Sequence, residues 1–514
     1  MADITCALGA WDGTNAARLS LSALCRLPRA LQPAFDPREL SVGSIHLGVG
    51  AFHRAHQAVL TQEAMEASGA LAWGVLAASE RTPAIPRLLE AQDCLYSLGV
   101  KGKALPGWRV VATIREAVFA PEQWPRLEVA FGSPDVSLVT LTVSEKGYRY
   151  DPVSRELNWE DEELAADLLG RPPKSVVGQL ARGLEARFRA CAAPMTVLCC
   201  DNLVDAGRLL EGLVVQFIDR MSVEGGLDRS AFRNWVSESV SFPLSVVDRI
   251  VPAAGEAERI EAGQRLGFSD LVPVVTEPYC QWVLEGRFAA PRPAWQLAGA
   301  LFVNDVAPYQ RVKLRLLNAT HSLIAYLGAL SGHETIAAAL EDEAIRAAAE
   351  HIMREFASRL ESPGGLDLAT YQRSVLERFA NRHLSHRTLQ VAMDGSQKLP
   401  LRVLEGLREA RRDGDMAFFA TLAVASWIVF VAQGEDDVGR SLPVDDPLAE
   451  WLLRARGLAP AAATRELLQM GQIFGSDLPE DSAWVRLLEH QVKLLWRLPH
   501  REGLRSLLRG QADA

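Results

Sequence analysis

A chain of 514 residues, 48% hydrophobic and 23% charged, is long enough for two or three domains with proper cores and has the composition of an ordinary globular protein. Its formal net charge of −10 argues against a nucleic-acid partner, because phosphate binding needs a basic face; a local basic pocket for a small anion stays open. No apolar run approaches the roughly 20 residues that span a bilayer, so no membrane partner is expected.

In chain order, the first 43 residues read as an irregular lead-in, broken by prolines in RLPRALQPAFDPREL and without the basic start and apolar stretch of a secretory signal. Strand and helix then alternate. SIHLGVG (Ser44–Gly50) predicts a short strand ending in glycines, and AFHRAHQAVLTQEAMEASG predicts the helix after it. AWGVLAAS (Ala72–Ser79), VSLVTLTVS (Val136–Ser144) and PMTVLCCDN (Pro194–Asn202) predict buried parallel strands, the last followed by the helix AGRLLEGLVVQFIDRM. Beyond about Pro293 helical periodicity takes over, in IAAALEDEAIRAAAEHIMREFASRL, ATYQRSVLERFANRHL, MAFFATLAVASWIVFVAQG and AWVRLLEHQVKLLWRL. The expected fold class is α/β: an N-terminal Rossmann-type dinucleotide-binding domain over 1–295, then a mainly α-helical C-terminal domain over 296–514 carrying substrate and catalysis. RPAWQLAGALFVNDVAPYQ between them fits either part. The seven cysteines, odd in number and without CxxC, fit a reduced cytoplasmic compartment, and no spaced His/Cys cluster of the zinc kind occurs.

Gly48 and Gly50 follow a strand and precede a helix, where a dinucleotide fold places its phosphate turn. The segment Gly48, Val49, Gly50, Ala51 and Phe52 is therefore the candidate cofactor turn. Glycine lets backbone approach the pyrophosphate, and the helix start offers N–H groups. The usual third glycine falls at His53, so a tight turn with no ligand fits equally well. His53, Arg54 and His56 fit solvated polar residues at a helix start; the two histidines could share a metal, but no third ligand stands nearby. Glu80, just past the second strand, is the candidate for the adenosine ribose, whereas Arg81 beside it would favour a 2′-phosphate, and two exposed loop charges would serve neither. NAD is expected, with NADP open.

VKLRLLNATHSLIAYLG (Val312–Gly328) sets Lys313, Asn318 and His321 in an apolar run. At about 100° per residue these offsets of five and eight fall within an arc of roughly 140° on one helix. A lysine is rarely buried without a purpose, and burial lowers a lysine toward neutrality, which suits proton transfer. An asparagine N–H can hold a carbonyl oxygen as negative charge builds on it, and a histidine can bind an adjacent hydroxyl. Together they describe a ketone–alcohol interconversion that needs no metal. A half-exposed helix with a snorkelling lysine is the plain alternative.

GVGAFHRAHQA, LTVSEKGY, CDN (Cys200–Asn202), FPLSVVDRIVP, EPYCQWVLEG and DVAPYQRVKLRLLNATHSLIAYLG, in this order and nearly end to end, resemble the mannitol dehydrogenase family, the polyol-specific long-chain dehydrogenases and reductases. The resemblance implies Lys313 as general acid/base, Asn202 and Asn318 polarising the reacting oxygen, His321 orienting substrate and Asp248 lying near it. Read by itself, Asp248 fits an ion pair with Arg249 as well. The resemblance also implies a site between the two domains and no catalytic zinc.

Within the family, HLSHRTLQVAMDGSQKLPLR (His383–Arg402) and DDPLAEW resemble fructuronate reductase, also called D-mannonate oxidoreductase. Mannitol 2-dehydrogenases carry an arginine four residues before the aspartate of DGS; here Gln390 stands there. A uronate carboxylate needs a cation or several N–H donors. His386, Arg387, Lys398 and Arg402 are available, with Lys398 and Arg387 the candidates, although Arg387 could equally brace the helical domain. The expected reaction is NAD-dependent interconversion of D-fructuronate and D-mannonate. Alternatives are mannitol 2-dehydrogenase or arabinitol dehydrogenase activity on a neutral substrate, or a catalytically silent nucleotide-binding regulatory protein. The expected partner is a small sugar acid or polyol; oligomeric state is not readable.

Overall fold

The computed structural model describes residues 17–102, 107–143, 145–151, 154–169, 172–223, 225–497 and 499–512. The chain divides between Val306 and Ala307 into two compact units. The first holds twelve strands among the described residues: β1 Val42–Leu47, β2 Gly74–Ser79, β3 Tyr96–Val100, β4 Gly107–Val111, β5 Ile114–Phe119, β6 Leu138–Leu141, β7 Met195–Cys199, β8 Val240–Ser241, β9 Ser245–Asp248, β10 Val274–Thr276, β11 Gln281–Glu285 and β12 Leu301–Val303.

Six of them form one sheet in the order β5-β2-β1-β6-β7-β8, every pair parallel. Strand residues alternate between its two faces. Ile45, Leu47, Leu76 and Ala78 join a core with Leu127, Leu180, Leu184, Leu210 and Phe217. Val75 and Ala77 join a separate one with Ala55, Ala58, Val59 and Leu98. Because both faces are covered, the strands read as unbroken apolar runs, as the sequence predicts. From β1 the chain moves outward to β2 and β5, then returns to β6 on the other side of β1, so the strand order reverses between β1 and β6, where a dinucleotide fold opens its ligand crevice.

Two small sheets, β10-β3-β4 and β12-β11-β9, complete the unit. The predicted helix over 51–69 is two helices, Ala51–Ala55 and Gln57–Ser68, broken at His56 with φ −121° and ψ −85°.

Among the described residues, the named elements after Val303 are all helical. The apolar helix Phe418–Gln433 is buried along nearly its whole length. Glu355 accepts hydrogen bonds from its first free amides, Phe419 N and Ala420 N, both at 2.9 Å, which satisfies donors the helix cannot. No helix among the described residues is long and apolar enough to cross a membrane.

Candidate active site

At the end of β1 the chain turns sharply. Gly48 N and Val49 N both donate to the Ala78 carbonyl at the end of β2, each at 3.0 Å. Thr142 Oγ1 donates to the Gly48 carbonyl at 2.9 Å. Gly48 has φ +98°, and a Cβ there would overlap the Thr142 carbonyl. Gly50 is different: the nearest heavy atom to a Cβ would be Gly48 O at 3.8 Å, so the space beside it is open. This is a cradle for a group that approaches backbone closely. Val49 is buried, Ala51 and Phe52 are half-buried, and Gly50 is exposed.

His53, Arg54 and His56 are all buried, which corrects the expectation of solvated side chains. The ring of His53, where a third glycine would stand, stacks on His46 of β1 with centroids 3.3 Å apart. His46 lies within hydrogen-bond reach of Thr140 Oγ1 (2.7 Å) and Thr142 Oγ1 (2.9 Å). Arg54 donates to the Val272 carbonyl, and His56 Nε2 lies 2.9 Å from the Gln281 carbonyl. These bonds reach more than 200 residues along the chain, and they set the break at His56. Among the described residues, no group of three or more His, Cys, Asp or Glu could hold a metal ion.

Burial pushes His46 down to about 3 and His53 well below the ordinary histidine value, so both rings are neutral. The sign follows from linkage. Below 6.5 the unfolded chain takes up a proton at His46 that the folded chain refuses, so stability is full above that pH and falls as pH drops toward 3. Between pH 7 and pH 5 this removes about 2 kcal/mol. Glu80 and Glu355, both pushed up to about 7 by burial, act with the opposite sign, gaining stability as pH falls from 7 toward 4.5. The contribution of His46 is therefore read by difference. A His46→Gln variant should lose about 2 kcal/mol less than the parent over that interval in denaturant unfolding. Equal losses would remove His46 as the titrating group.

Glu80 is not an exposed loop charge. Its carboxyl is buried, the Gly48 backbone hydrogen-bonds to it, and Oε1 has no hydrogen-bond partner. That orphan oxygen, beside the Gly48 turn, fits a ribose hydroxyl. Arg81 is exposed.

Two further candidates lie at strand ends of the same unit. Asn202 is exposed just after β7, next to Asp201, which accepts a hydrogen bond from the buried Tyr148 hydroxyl. Asp248 is buried at the end of β9. Its neighbour Arg249 donates to the carbonyls of Ala55 and Glu277.

In the second unit, Lys313, Asn318 and His321 are 7%, 7% and 9% exposed, so the half-exposed helix is ruled out. The segment is an α-helix over Ala307–Val312, a π-helical turn over Lys313–Asn318 and an α-helix over Ala319–Leu330. Ala319 N donates to Leu314 O, five residues back. The uniform α geometry assumed from sequence is thus corrected, and in the useful direction. In an α-helix, positions five apart diverge. An i→i+5 turn is wider, which lessens that divergence between Lys313 and Asn318.

His321 stacks on Phe379 at 4.6 Å and meets His386 edge-on at 4.8 Å. Its Nε2 is buried with no hydrogen-bond partner. Burial first, then the charges of His386, Arg402, Lys398 and Arg378, hold it well below the usual histidine range. Lys398 is half-buried and donates to Met393 O at 2.5 Å. Arg402 donates to Ser322 Oγ at 3.2 Å. Arg387 is exposed at the N-cap of the helix Thr388–Ala392, and the arginines that act on His321 most strongly are Arg402 and Arg378. Two motifs read separately in the sequence meet here: Ser396 of DGS donates through N and Oγ to Asp446 of DDP, at 2.8 and 2.6 Å.

Comparison with known proteins gives this geometry a setting. The family model for the mannitol dehydrogenase Rossmann domain matches residues 42–297, and that for the mannitol dehydrogenase C-terminal domain matches residues 305–496. The chain belongs to the mannitol dehydrogenase family. Among family members it is similar to an uncharacterized oxidoreductase, YeiQ, of Escherichia coli, 36% identical over 93% of this chain and 97% of that one. It is equally similar to the D-mannonate oxidoreductase of the same organism, 36% identical over 93% of this chain and 98% of that one. Among solved structures it resembles a Pseudomonas fluorescens mannitol 2-dehydrogenase in ternary complex with NAD and D-mannitol, with TM-score 0.88 and 30% identity over 96% of this chain and 99% of that one.

Proposed function

We propose that this mannitol dehydrogenase family member is an NAD-dependent oxidoreductase that interconverts a secondary alcohol and a ketone in a polyol or sugar acid. The observation that carries this is the π-helical turn, which begins at a buried lysine and ends at a buried asparagine. Gly48, Val49, Gly50, Ala51 and Phe52 form the phosphate turn, and Glu80 accepts a ribose hydroxyl. NADH, when bound, supplies the hydride. Lys313 gives its proton to the substrate oxygen in reduction and takes it back in oxidation. Asn318 and Asn202 donate N–H groups to that oxygen while charge builds on it. His321, neutral, holds a neighbouring hydroxyl, with Asp248 and Lys398 as further substrate contacts. No step calls on a metal. The six described cysteines are free thiols, which fits a reducing, cytoplasmic compartment.

On the substrate, the comparisons support a neutral polyol better than D-fructuronate, since the solved relative with TM-score 0.88 holds D-mannitol. The sugar-acid reading is favoured by a separate observation. Three permanent cations, Arg402, Lys398 and Arg378, act on His321, an arrangement suited to a carboxylate, and the D-mannonate oxidoreductase matches at 36% identity.

One assay separates the readings: NADH oxidation with fructose and D-fructuronate in parallel, and NAD reduction with mannitol, arabinitol and D-mannonate. A preference of about tenfold or more in kcat/KM, some 1.4 kcal/mol of transition-state binding, selects the substrate class. Repeating the panel with NADPH tests Arg81. Cofactor binding without turnover on any of these would instead support the catalytically silent protein.

A further inference from the structure

We infer that Arg315 is a positioning residue that locks two π-helical turns of the second unit together. It thereby fixes the distance between the reacting end and the anchoring end of the substrate site. The inference rests on the reading of Lys313 and Asn318 as the reacting end and of Lys398 as a contact to the far end.

The second unit contains two π-helical turns, Lys313–Asn318 and Pro400–Leu404. Such turns are rare and are frequently found at functional sites. The first carries Lys313 and Asn318. The second carries Arg402 and continues the short helix Gly395–Leu399 that carries Lys398. Arg315 sits inside the first turn and is 3% exposed. Its guanidinium crosses to the second: Nη1 donates to the Leu401 carbonyl at 2.9 Å, and Nη2 lies 3.4 Å from both Glu405 and Glu409. Phe356 covers the guanidinium, its ring centroid 6.0 Å from Cζ.

The neighbouring helix is shaped to admit this side chain. A Cβ at Gly406 would lie 2.7 Å from Arg315 Nε and 2.6 Å from Phe356 Cε1. A planar fork reaches a carbonyl and two carboxylates at once, which an ammonium cannot do. Burying a cation against half-exposed carboxylates is a poor source of stability and is better explained by specificity of arrangement. Without the crossing, the two turns are free to slide, and a shift of about 1 Å at reacting groups costs on the order of 10²-fold in rate.

The test uses the full-length protein with Arg315→Lys and, independently, Gly406→Ala, which crowds the guanidinium without removing it. Three quantities are measured: the NADH dissociation constant, the single-turnover rate of NADH consumption, and the ratio of kcat/KM for the six-carbon substrate over a four-carbon ketose. Binding energy from the far end reaches the reacting end only while the two are in register. Both variants should keep NADH affinity within about twofold, slow the single turnover at least about tenfold, and narrow the six-to-four-carbon ratio by about tenfold. A folded variant with the parent's ratio and single-turnover rate overturns the inference, whether or not its melting temperature has fallen. If Arg315→Lys does not fold, Gly406→Ala decides alone. Failure of the underlying reading looks different: the unmodified protein turns over no polyol or sugar acid, or Lys313→Ala remains active.

Discussion

Replacing Lys313 by alanine should slow turnover by about 10³-fold, the scale of a lost general acid–base, while NADH affinity stays within about twofold. Lys313 lies on the second unit, inside the π-helical turn, whereas the glycine turn and Glu80 lie on the first, so the two losses are separable. Lys313→Arg sharpens the test. It keeps a positive charge, but a guanidinium does not surrender its proton in the working range. If Lys313 only supplied charge to the oxygen, the arginine variant would retain much of the rate; if it transfers a proton, the variant is as slow as alanine. Stopped-flow NADH consumption gives the rates and fluorescence titration the affinity. Near-parental turnover in Lys313→Ala would remove the residue from the reaction altogether.

The second large effect is expected at Gly48. Gly48→Ala should weaken NADH binding by at least about 10²-fold and lower stability by more than about 2 kcal/mol. Two causes coincide. The backbone angle of +98° is strained for any L side chain, and the added methyl would stand 2.7 Å from the Thr142 carbonyl carbon. Neither atom set can give way cheaply, because Thr142 is tied back to β1 through its N–H to Leu47 O at 2.9 Å. Gly50→Ala is the matched control, with φ −80° and open space around the new methyl. It should leave the melting temperature unchanged and weaken NADH binding alone, because there the only thing a methyl can obstruct is the approaching pyrophosphate. Unchanged affinity in Gly50→Ala would move the phosphate site away from this turn.

How far the sequence carried depends on where the determining contacts lie. β1, β2, β6 and β7 were legible because a strand covered on both faces leaves a continuous apolar run. β3 and β10 were not. They are five and three residues long, and they pair Leu98 with Val274 across most of the unit. The break at His56 has no local signal, since Arg54 and His56 are held by carbonyls in distant segments. At the candidate site, Lys313, Asn318 and His321 stood out as polar residues in an apolar run, but the π turn that runs from the first to the second did not. His46 had a signal that passed unread: a histidine in the middle of SIHLGVG. Arg378 had little, for on the amphipathic ATYQRSVLERF it looks like any surface arginine, although it is buried.

The π-helical turn also sets what kinds of change this segment can absorb. Swapping Leu314, Leu316 or Leu317 for another aliphatic residue keeps the two polar groups five positions apart. Deleting any one of them would set the lysine and the amide four positions apart, which ordinary i→i+4 pairing places on one face, so the loss is absorbed as the wide turn reverts to α geometry. What would part them is the opposite change, five positions wound as plain α-helix, which turns the amide about 140° from the lysine; the wide turn is what lets this segment hold one residue more than an α-helix would.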